Sequence, residues 1–316
     1  MDTAKRGEHA TQALKGSRFR EVRWVETVGS TNTDLMAKAV SGEAGGLVLV
    51  ADYQTSGRGR RERVWEAPPG ASLLFSMLLR PENLTEHAAL VTMAAGVASV
   101  EACRAVTGVV PRLKWPNDML VEGKKLSGML SETVVAGTEI TALVIGIGIN
   151  TNWPPDLPVE LAETATSLNF HLPSEASQLP RDQLPREAGK FGREKLFAEA
   201  SPSREAEPNR ETENLEFLAM DRQNEEKEPV DRVALLVALL RSMDELVQLI
   251  ETEVGRAELL DRYKSHLGTL GREVRVVLAD SSFTGTALDV DSAGSLLVRN
   301  DEQERWVSVA DVVHLR

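Results

Sequence analysis

Leu47-Val48-Leu49-Val50-Ala51, then Gln54-Thr55-Ser56-Gly57-Arg58-Gly59-Arg60-Arg61-Glu62-Arg63-Val64-Trp65, then Ser72-Leu73-Leu74-Phe75-Ser76-Met77-Leu78-Leu79 is the stretch that decides the fold. Its two apolar ends predict buried strands. Between them lie two glycines, four arginines and a tryptophan. Glycine permits positive φ and lets backbone amides approach a ligand closely. Arginine offers a rigid fork of donors to carboxylate or phosphate oxygens. A cationic, glycine-hinged loop between buried strands suits a small anion. It is not a Walker A loop, because the Gly-Lys-Ser/Thr ending is missing. Taken alone, Gly57-Arg58-Gly59-Arg60 reads equally well as a basic solvated turn.

Outward from this stretch, residues 1–20 are polar and read as a flexible tail. Val22–Val28 alternates weakly and predicts a first strand. Ser30-Thr31-Asn32 supplies capping residues for a helix through Ala39. A second helix is expected from about Thr85 to Thr107. Lys125–Val135 and Glu139–Ile149 predict two further strands. Neighbouring strands with few helices predict an α+β fold, a mixed β-sheet with helices on one face. Residues 181–230 hold 22 charged residues and no Trp, Tyr or Cys, and prolines cluster at 173, 180, 185, 202 and 208. Such a segment buries too little apolar surface to offset its ordering entropy, so residues 172–230 read as a disordered insertion. Val233–Ile250 has apolar spacing of three and four and predicts a helix, with another through about His266. From Arg272 onward, short strands separated by turn residues predict a small β-barrel. The expected division is a domain over residues 21–270, carrying the insertion, and a second over 271–316.

The 316-residue chain has a formal net charge of −12, against the usual basic balance of nucleic-acid binders. Cys103 is the sole cysteine and lies in an apolar helical stretch, so it reads as core. No apolar run approaches the ~18 residues of a membrane span, and the N-terminus lacks a signal peptide's apolar core. No nucleic acid, no membrane and a cytoplasmic location are expected. The five histidines show no metal-ligand spacing.

Three more motifs carry chemistry. In Lys114-Trp115-Pro116-Asn117-Asp118 a carbonyl oxygen and a carboxylate stand side by side, which suits Mg²⁺ carried by a nucleotide phosphate or, equally, an Asx-turn. In Gly123-Lys124-Lys125-Leu126-Ser127-Gly128 a lysine opens an apolar strand and can meet an anion, although solvated lysines are the plainer reading. Gly146, Gly148 and Asn150 let a ligand, or simply a neighbouring strand, come close.

Together and in this order, these motifs resemble the biotin protein ligases, from about Val22 to Asn169 and again from about Val230 onward. Thr166-Ser167-Leu168 fits the same pattern. The resemblance implies a class II synthetase-like catalytic domain with an SH3-like C-terminal barrel. It implies that biotin is activated with ATP and Mg²⁺ to biotinyl-5′-AMP, then passed to a lysine on the biotin carboxyl carrier protein of acetyl-CoA carboxylase. By motif position, Ser30, Thr31, Asn32 and Gln54 would hold the biotin ring. Gly57, Arg58, Gly59 and Arg60 would close over biotin and phosphate, and Trp65 would stack near adenine. Asn117 and Asp118 would serve metal and phosphate geometry, with Asp118 the metal-side residue. Lys125 would bridge the carboxylate and the α-phosphate, Gly128 would permit close approach, and Asn150 would meet the nucleotide. Lys125, Arg60 and Asp118 would carry the chemistry. Many relatives have glycine where this chain has Glu62. The 20 residues ahead of the catalytic domain are too few for the winged helix of repressor-type members. A lipoate or octanoyl ligase or transferase and, less closely, a biotin-sensing repressor are the alternatives, and a homodimer stays open.

Overall fold

The computed structural model describes residues 1–173 and 228–316, apart from residues 279, 302, 309 and 316. The expected disorder of residues 172–230 therefore falls almost wholly outside the described residues. The main sheet has seven strands in the order β1-β2-β3-β7-β6-β5-β4. These are β1 (Glu21–Val28), β2 (Leu47–Gln54), β3 (Ser72–Leu79), β4 (Arg112–Lys114), β5 (Asp118–Val121), β6 (Lys124–Ala136) and β7 (Glu139–Asn150). The apolar runs quoted above become β2 and β3, and all eight residues of β3 are buried at the sheet's centre. β1 and β2 run parallel, joined through helix α2 (Thr31–Val40), and the other pairs are antiparallel, so the sheet is mixed as expected.

Side-chain alternation splits β2 and β3 between two cores. Val48, Val50, Leu73, Phe75, Met77 and Leu79 join the large core that includes helices α3 (Leu84–Thr107), α5 (Arg232–Leu249) and α6 (Glu253–His266), while the short α4 (Val159–Thr164) buries no residue. Leu47, Leu49 and Leu78 face the other way, against Leu35 and Ala39 of α2. The expectation of helices on one face thus holds for the large core, while α2 covers part of the opposite face. The rest of that face carries Ser76, Gly146 and Gly148, and it is there that a cleft opens. α3 has the length and composition of a bilayer-crossing helix, yet it is a core helix packed between β7, α5 and α6. Cys103 lies on it, fully buried, with its thiol pushed up to about 12 by desolvation.

The N-terminal expectation needs correction. Thr3–Ala13 forms helix α1, capped by Asp2, whose carboxylate accepts the Lys5 N–H at 2.8 Å. Ala10, Leu14 and Phe19 are buried in the large core. Gly7 packs so tightly on β1 that a β-carbon would lie 2.7 Å from the Val22 carbonyl oxygen. The helix docks through small residues, so it lacks the bulky apolar stripe that announces an amphipathic helix.

A second, antiparallel sheet has the order β11-β10-β9-β8-β12. It consists of β8 (Glu273–Val277), β9 (Ser282–Val290), β10 (Leu296–Arg299), β11 (Glu304–Val307) and β12 (Asp311–His314). It docks beside the Trp115–Asp118 turn. The Trp115 indole N–H donates to the Gly294 carbonyl at 2.9 Å, and the Trp115 backbone N–H donates to Thr269 Oγ1 at 3.0 Å. Thr269 Oγ1 in turn meets His314 Nε2 at 3.0 Å.

Candidate active site

The cleft has a volume of about 340 Å³ and two chemically distinct ends. One end is a chain of neutral polar groups that finishes on an ion pair, Glu132 with Arg58. The N-terminus of α2 opens onto it, with Ser30 as the N-cap. The Thr31 backbone N–H donates to Gln54 Oε1 at 2.8 Å, and Thr31 Oγ1 lies 2.8 Å from Ser76 Oγ. Ser76 Oγ donates to Asn32 Oδ1 at 2.8 Å, and Asn32 Nδ2 donates to Glu132 Oε2 at 2.6 Å. Glu132 also takes a bidentate pair from Arg58, at 3.0 and 2.9 Å. The expected residues Ser30, Thr31, Asn32, Gln54 and Arg58 therefore meet at one end. Ser76 and Glu132 join them without having been singled out in the sequence. Ser76 interrupts an apolar strand, and that break is the signal available for it, whereas Glu132 stands between Ser131 and Thr133 and has no comparable local signal.

The other end is charged. Arg60, Arg63, Lys114 and Lys125 line it together with Asp118 and Asp311, an excess of two positive charges. Lys125 Nζ pairs with Asp118 Oδ1 at 2.8 Å and stands 5.5 Å from the centre of the Trp65 ring. Burial pulls the Lys114 ammonium below its ordinary pKa; Asp118 opposes this and Lys125 adds to it. Burial also lowers Arg60, against the pull of Asp311. Partly desolvated cations of this kind gain most from an incoming anion. Lys114 was part of a sequence motif but had no role assigned.

Between the ends, Trp65 lies on the glycine-lined floor. A β-carbon on Gly148 would stand 2.6 Å from Trp65 Cε2, and one on Gly128 would stand 2.9 Å from Cζ3. The indole Nε1 is buried with no acceptor among the described residues. A buried unpaired donor is costly and marks a place for a ligand acceptor. Gly128 and Gly148 act here by absence of bulk, each making room for the Trp65 ring.

The loop differs from expectation in its hinges. Neither Gly57 nor Gly59 has positive φ; Arg61 (φ 53°) and Glu62 (φ 59°) do. The two glycines serve close approach instead. A β-carbon on Gly57 would lie 2.3 Å from the Trp65 carbonyl oxygen, where the Trp65 N–H returns to Gly57 O at 3.0 Å. Gly57 faces a neighbouring recess behind Trp65 rather than the main cleft.

Two expected residues take structural posts. Asn150 is buried, donates to the Thr166 carbonyl at 2.9 Å, accepts from Ser72 Oγ at 3.4 Å, and does not line the cleft. Asn117 lines the cleft, but its Oδ1 accepts from Arg60 at 3.2 Å and its Nδ2 donates to the Met129 carbonyl at 2.7 Å. Its amide braces the turn, leaving Asp118, paired with Lys125 at 2.8 Å, as the hard oxygen donor of the two. No cluster of three metal-ligating side chains occurs among the described residues.

Comparisons with known proteins agree with this geometry. Residues 24–150 match the biotin/lipoate A/B protein ligase family, and residues 269–315 match the biotin protein ligase C-terminal domain. The biotin--[acetyl-CoA-carboxylase] ligase of Mycobacterium tuberculosis is 30% identical over 95% of this chain and 91% of its own. The bifunctional ligase/repressors BirA of Bacillus spizizenii and Bacillus subtilis are 38% and 42% identical, over stretches covering 45% and 38% of their own lengths. The biotin protein ligase of Aquifex aeolicus, solved in complex with biotin and ATP, superposes with a TM-score of 0.65 at 25% identity. That superposition covers 94% of this chain and all of the Aquifex chain. On the near full-length match to the mycobacterial ligase and the two family matches, this chain belongs to the biotin protein ligases.

Proposed function

We propose that the chain activates biotin with ATP to biotinyl-5′-AMP and transfers the biotinyl group to a lysine of the biotin carboxyl carrier protein of acetyl-CoA carboxylase. The observation that carries this reading is the two-ended cleft. A neutral hydrogen-bonding end suits a ureido ring, and an end with surplus positive charge suits a carboxylate brought against a phosphate. In the first step a biotin carboxylate oxygen attacks the α-phosphorus, and the bond to the bridging oxygen breaks to release pyrophosphate. In the second step a neutral carrier amine attacks the acyl carbon, AMP leaves, and the amine's proton passes to solvent.

Lys125, released from Asp118, meets both anions and offsets their repulsion. Lys114 and Arg60 add charge where it builds up on phosphate oxygens, usually the largest catalytic contribution. Holding the two reactants in register removes on the order of 7–11 kcal/mol of entropic barrier. Asp118 fits a Mg²⁺ carried by the nucleotide, since such an ion needs only one or two protein carboxylates alongside phosphate and water. Mg²⁺ there would neutralise phosphate charge. The Gly57–Trp65 loop covers the cleft and shields a mixed anhydride from water.

The test is incubation with labelled biotin, Mg-ATP and a biotin carboxyl carrier domain. Label should appear on the carrier, and lipoate and octanoate should compete poorly. Transfer of lipoate or octanoate in place of biotin would overturn the reading.

A further inference from the structure

The tip of the binding loop is tied to the second sheet, and one carboxylate makes most of the tie. Asp311, at the start of β12, receives Arg63 Nη2 at 2.7 Å, Arg61 Nη1 at 3.4 Å and Arg60 Nη1 at 3.7 Å. Two carbonyls of the same region accept the remaining prongs: Ala310 O from Arg60 at 3.2 Å and Val277 O from Arg61 at 3.3 Å. The loop meanwhile holds its own hairpin shape, with the Gly59 N–H donating to the Arg63 carbonyl at 2.7 Å. Its base is fixed separately, by Arg58 on Glu132 of β6. The cover of the cleft is thus a small closed hairpin, pinned at its base to the main sheet and at its tip to the second sheet.

Three guanidinium groups on one carboxylate is an unbalanced arrangement. Their mutual repulsion is tolerated only while the anion is present, and the tip spends two residues, Arg61 and Glu62, in the left-handed region that disfavours L-residues. Without the anion, the tip keeps only neutral acceptors among the described residues, the Ala310 and Val277 carbonyls and the Asn117 amide oxygen, and no bonded negative charge offsets that crowding.

We propose that Asp311 is a positioning residue that latches the loop. It acts through Arg60, Arg61 and Arg63 and touches no reacting atom. By holding the hairpin shut with Arg60 turned toward Asn117, it sets how long the acyl-adenylate stays in the cleft. The second sheet thereby controls retention of the intermediate while the main sheet supplies the groups that make it. This inference rests on the reading of the cleft as an adenylate site.

The test compares Asp311→Asn and Asp311→Glu with the parent chain. The first measurement is release of biotinyl-adenylate in the absence of carrier, followed by trapping with hydroxylamine. The second is trypsin cleavage after Arg58–Arg63 in the ligand-free chain, read by mass spectrometry. Asp311→Asn should speed release about tenfold, the equivalent of about 1.4 kcal/mol. It should speed loop cleavage by a similar factor, and slow adenylate synthesis by a smaller one. Asp311→Glu should restore both readouts toward the parent. The double variant Arg61→Gln/Arg63→Gln removes the latch from the loop side and should speed release in the same way, guarding against misfolding of the second sheet. Unchanged release in Asp311→Asn and in the double variant overturns the latch. So does release that rises no more than synthesis falls. If the parent chain makes no adenylate, the functional reading fails first, and the trypsin measurement alone then decides whether Asp311 closes the loop.

Discussion

Alanine at position 148 should weaken retention of the intermediate far more than it weakens the fold. The new β-carbon would stand 2.6 Å from Trp65 Cε2, 2.8 Å from Cζ2 and 2.9 Å from Nε1. Carbon pairs rest at ~3.5–4.0 Å, so the indole must withdraw by about 1 Å. Its way is restricted, because Cζ3 already lies over Gly128 and the Trp65 backbone is tied to Gly57. Overpacking of this kind costs about 1–3 kcal/mol. Gly148 is not at positive φ, so alanine adds no backbone strain. In the unfolded chain alanine has less freedom to lose, which returns roughly 0.5–1 kcal/mol to stability. The net loss of fold stability is therefore at most about 2.5 kcal/mol. That return does not apply to the closed loop, where the full cost falls on Trp65. At about 1.4 kcal/mol per tenfold, retention of biotinyl-adenylate should fall about 5- to 150-fold. The assay is adenylate release in a double-mutant cycle with Trp65→Ala, which removes the colliding ring. The two substitutions should couple by more than about 1 kcal/mol, Gly148→Ala being nearly silent once the ring is gone. Additive effects, or parent-like retention in Gly148→Ala alone, would refute the placement of Trp65 on the glycine floor.

Lys125→Ala should slow biotin-dependent pyrophosphate release by more than about a hundredfold, the scale of losing one charge-directed donor; near-normal release removes Lys125 from the chemistry. Glu62→Gly relaxes a left-handed residue that costs about 1–2 kcal/mol, offset by glycine's own entropy of roughly 0.5–1 kcal/mol, so adenylate release should slow by no more than about 12-fold. Release faster than in the parent contradicts the closed-loop strain. Burial, with Lys114 and Arg272 nearby, lowers the His314 pKa to about 4. Below the ordinary His value the unfolded chain takes up a proton that the folded chain refuses, so this stability is present at neutral pH and lost as pH falls from about 6.5 toward 4. His314→Gln should flatten that part of the thermal unfolding profile between pH 4 and 6.5, with an unaltered slope as the contrary result.

How much was legible in the sequence depended on whether a residue's role is local. β2, β3 and α3 follow from apolar runs, because burial of a continuous stretch is written in the stretch itself. Lys125, Asp118, Arg60 and the Ser30–Asn32 turn were legible as short motifs, and the fold brings them to one cleft. Helix α1 was not legible, because it docks through Gly7 and Ala10, residues whose only signal is smallness. Asn150 braces Thr166 and Ser72 rather than lining the cleft, and a polar residue ending a strand looks the same in sequence in either post. Glu132 and Asp311 act on arginines 74 and 248 residues away in sequence, and no local pattern announces contacts at that separation.

Those two carboxylates also explain why the loop needs so many arginines. A lid carrying only the cations a phosphate requires would have nothing left to anchor it. Arg58 is spent on Glu132, and Arg61 and Arg63 on Asp311, at contacts of 2.7–3.4 Å. Arg60 alone reaches Asn117 inside the cleft. The strand that launches the loop is anchored in the same manner. Asp52, two residues before Gln54, takes a bidentate pair from Arg6 of α1 at 3.0 and 2.9 Å, a single bond from Arg232 of α5 at 3.0 Å, and the Trp24 indole N–H at 2.9 Å. Both guanidinium groups lie over the Trp24 ring, at 5.0 and 5.5 Å. These bonds hold the Asp52 carboxyl below its usual range against the opposing effect of burial, so the anchor stays charged at neutral pH. A loop that must move repeatedly is thus launched from a strand fixed by buried charge and closed onto carboxylates that solvent can reach, which places the weak points at the tip and base rather than in the sheet.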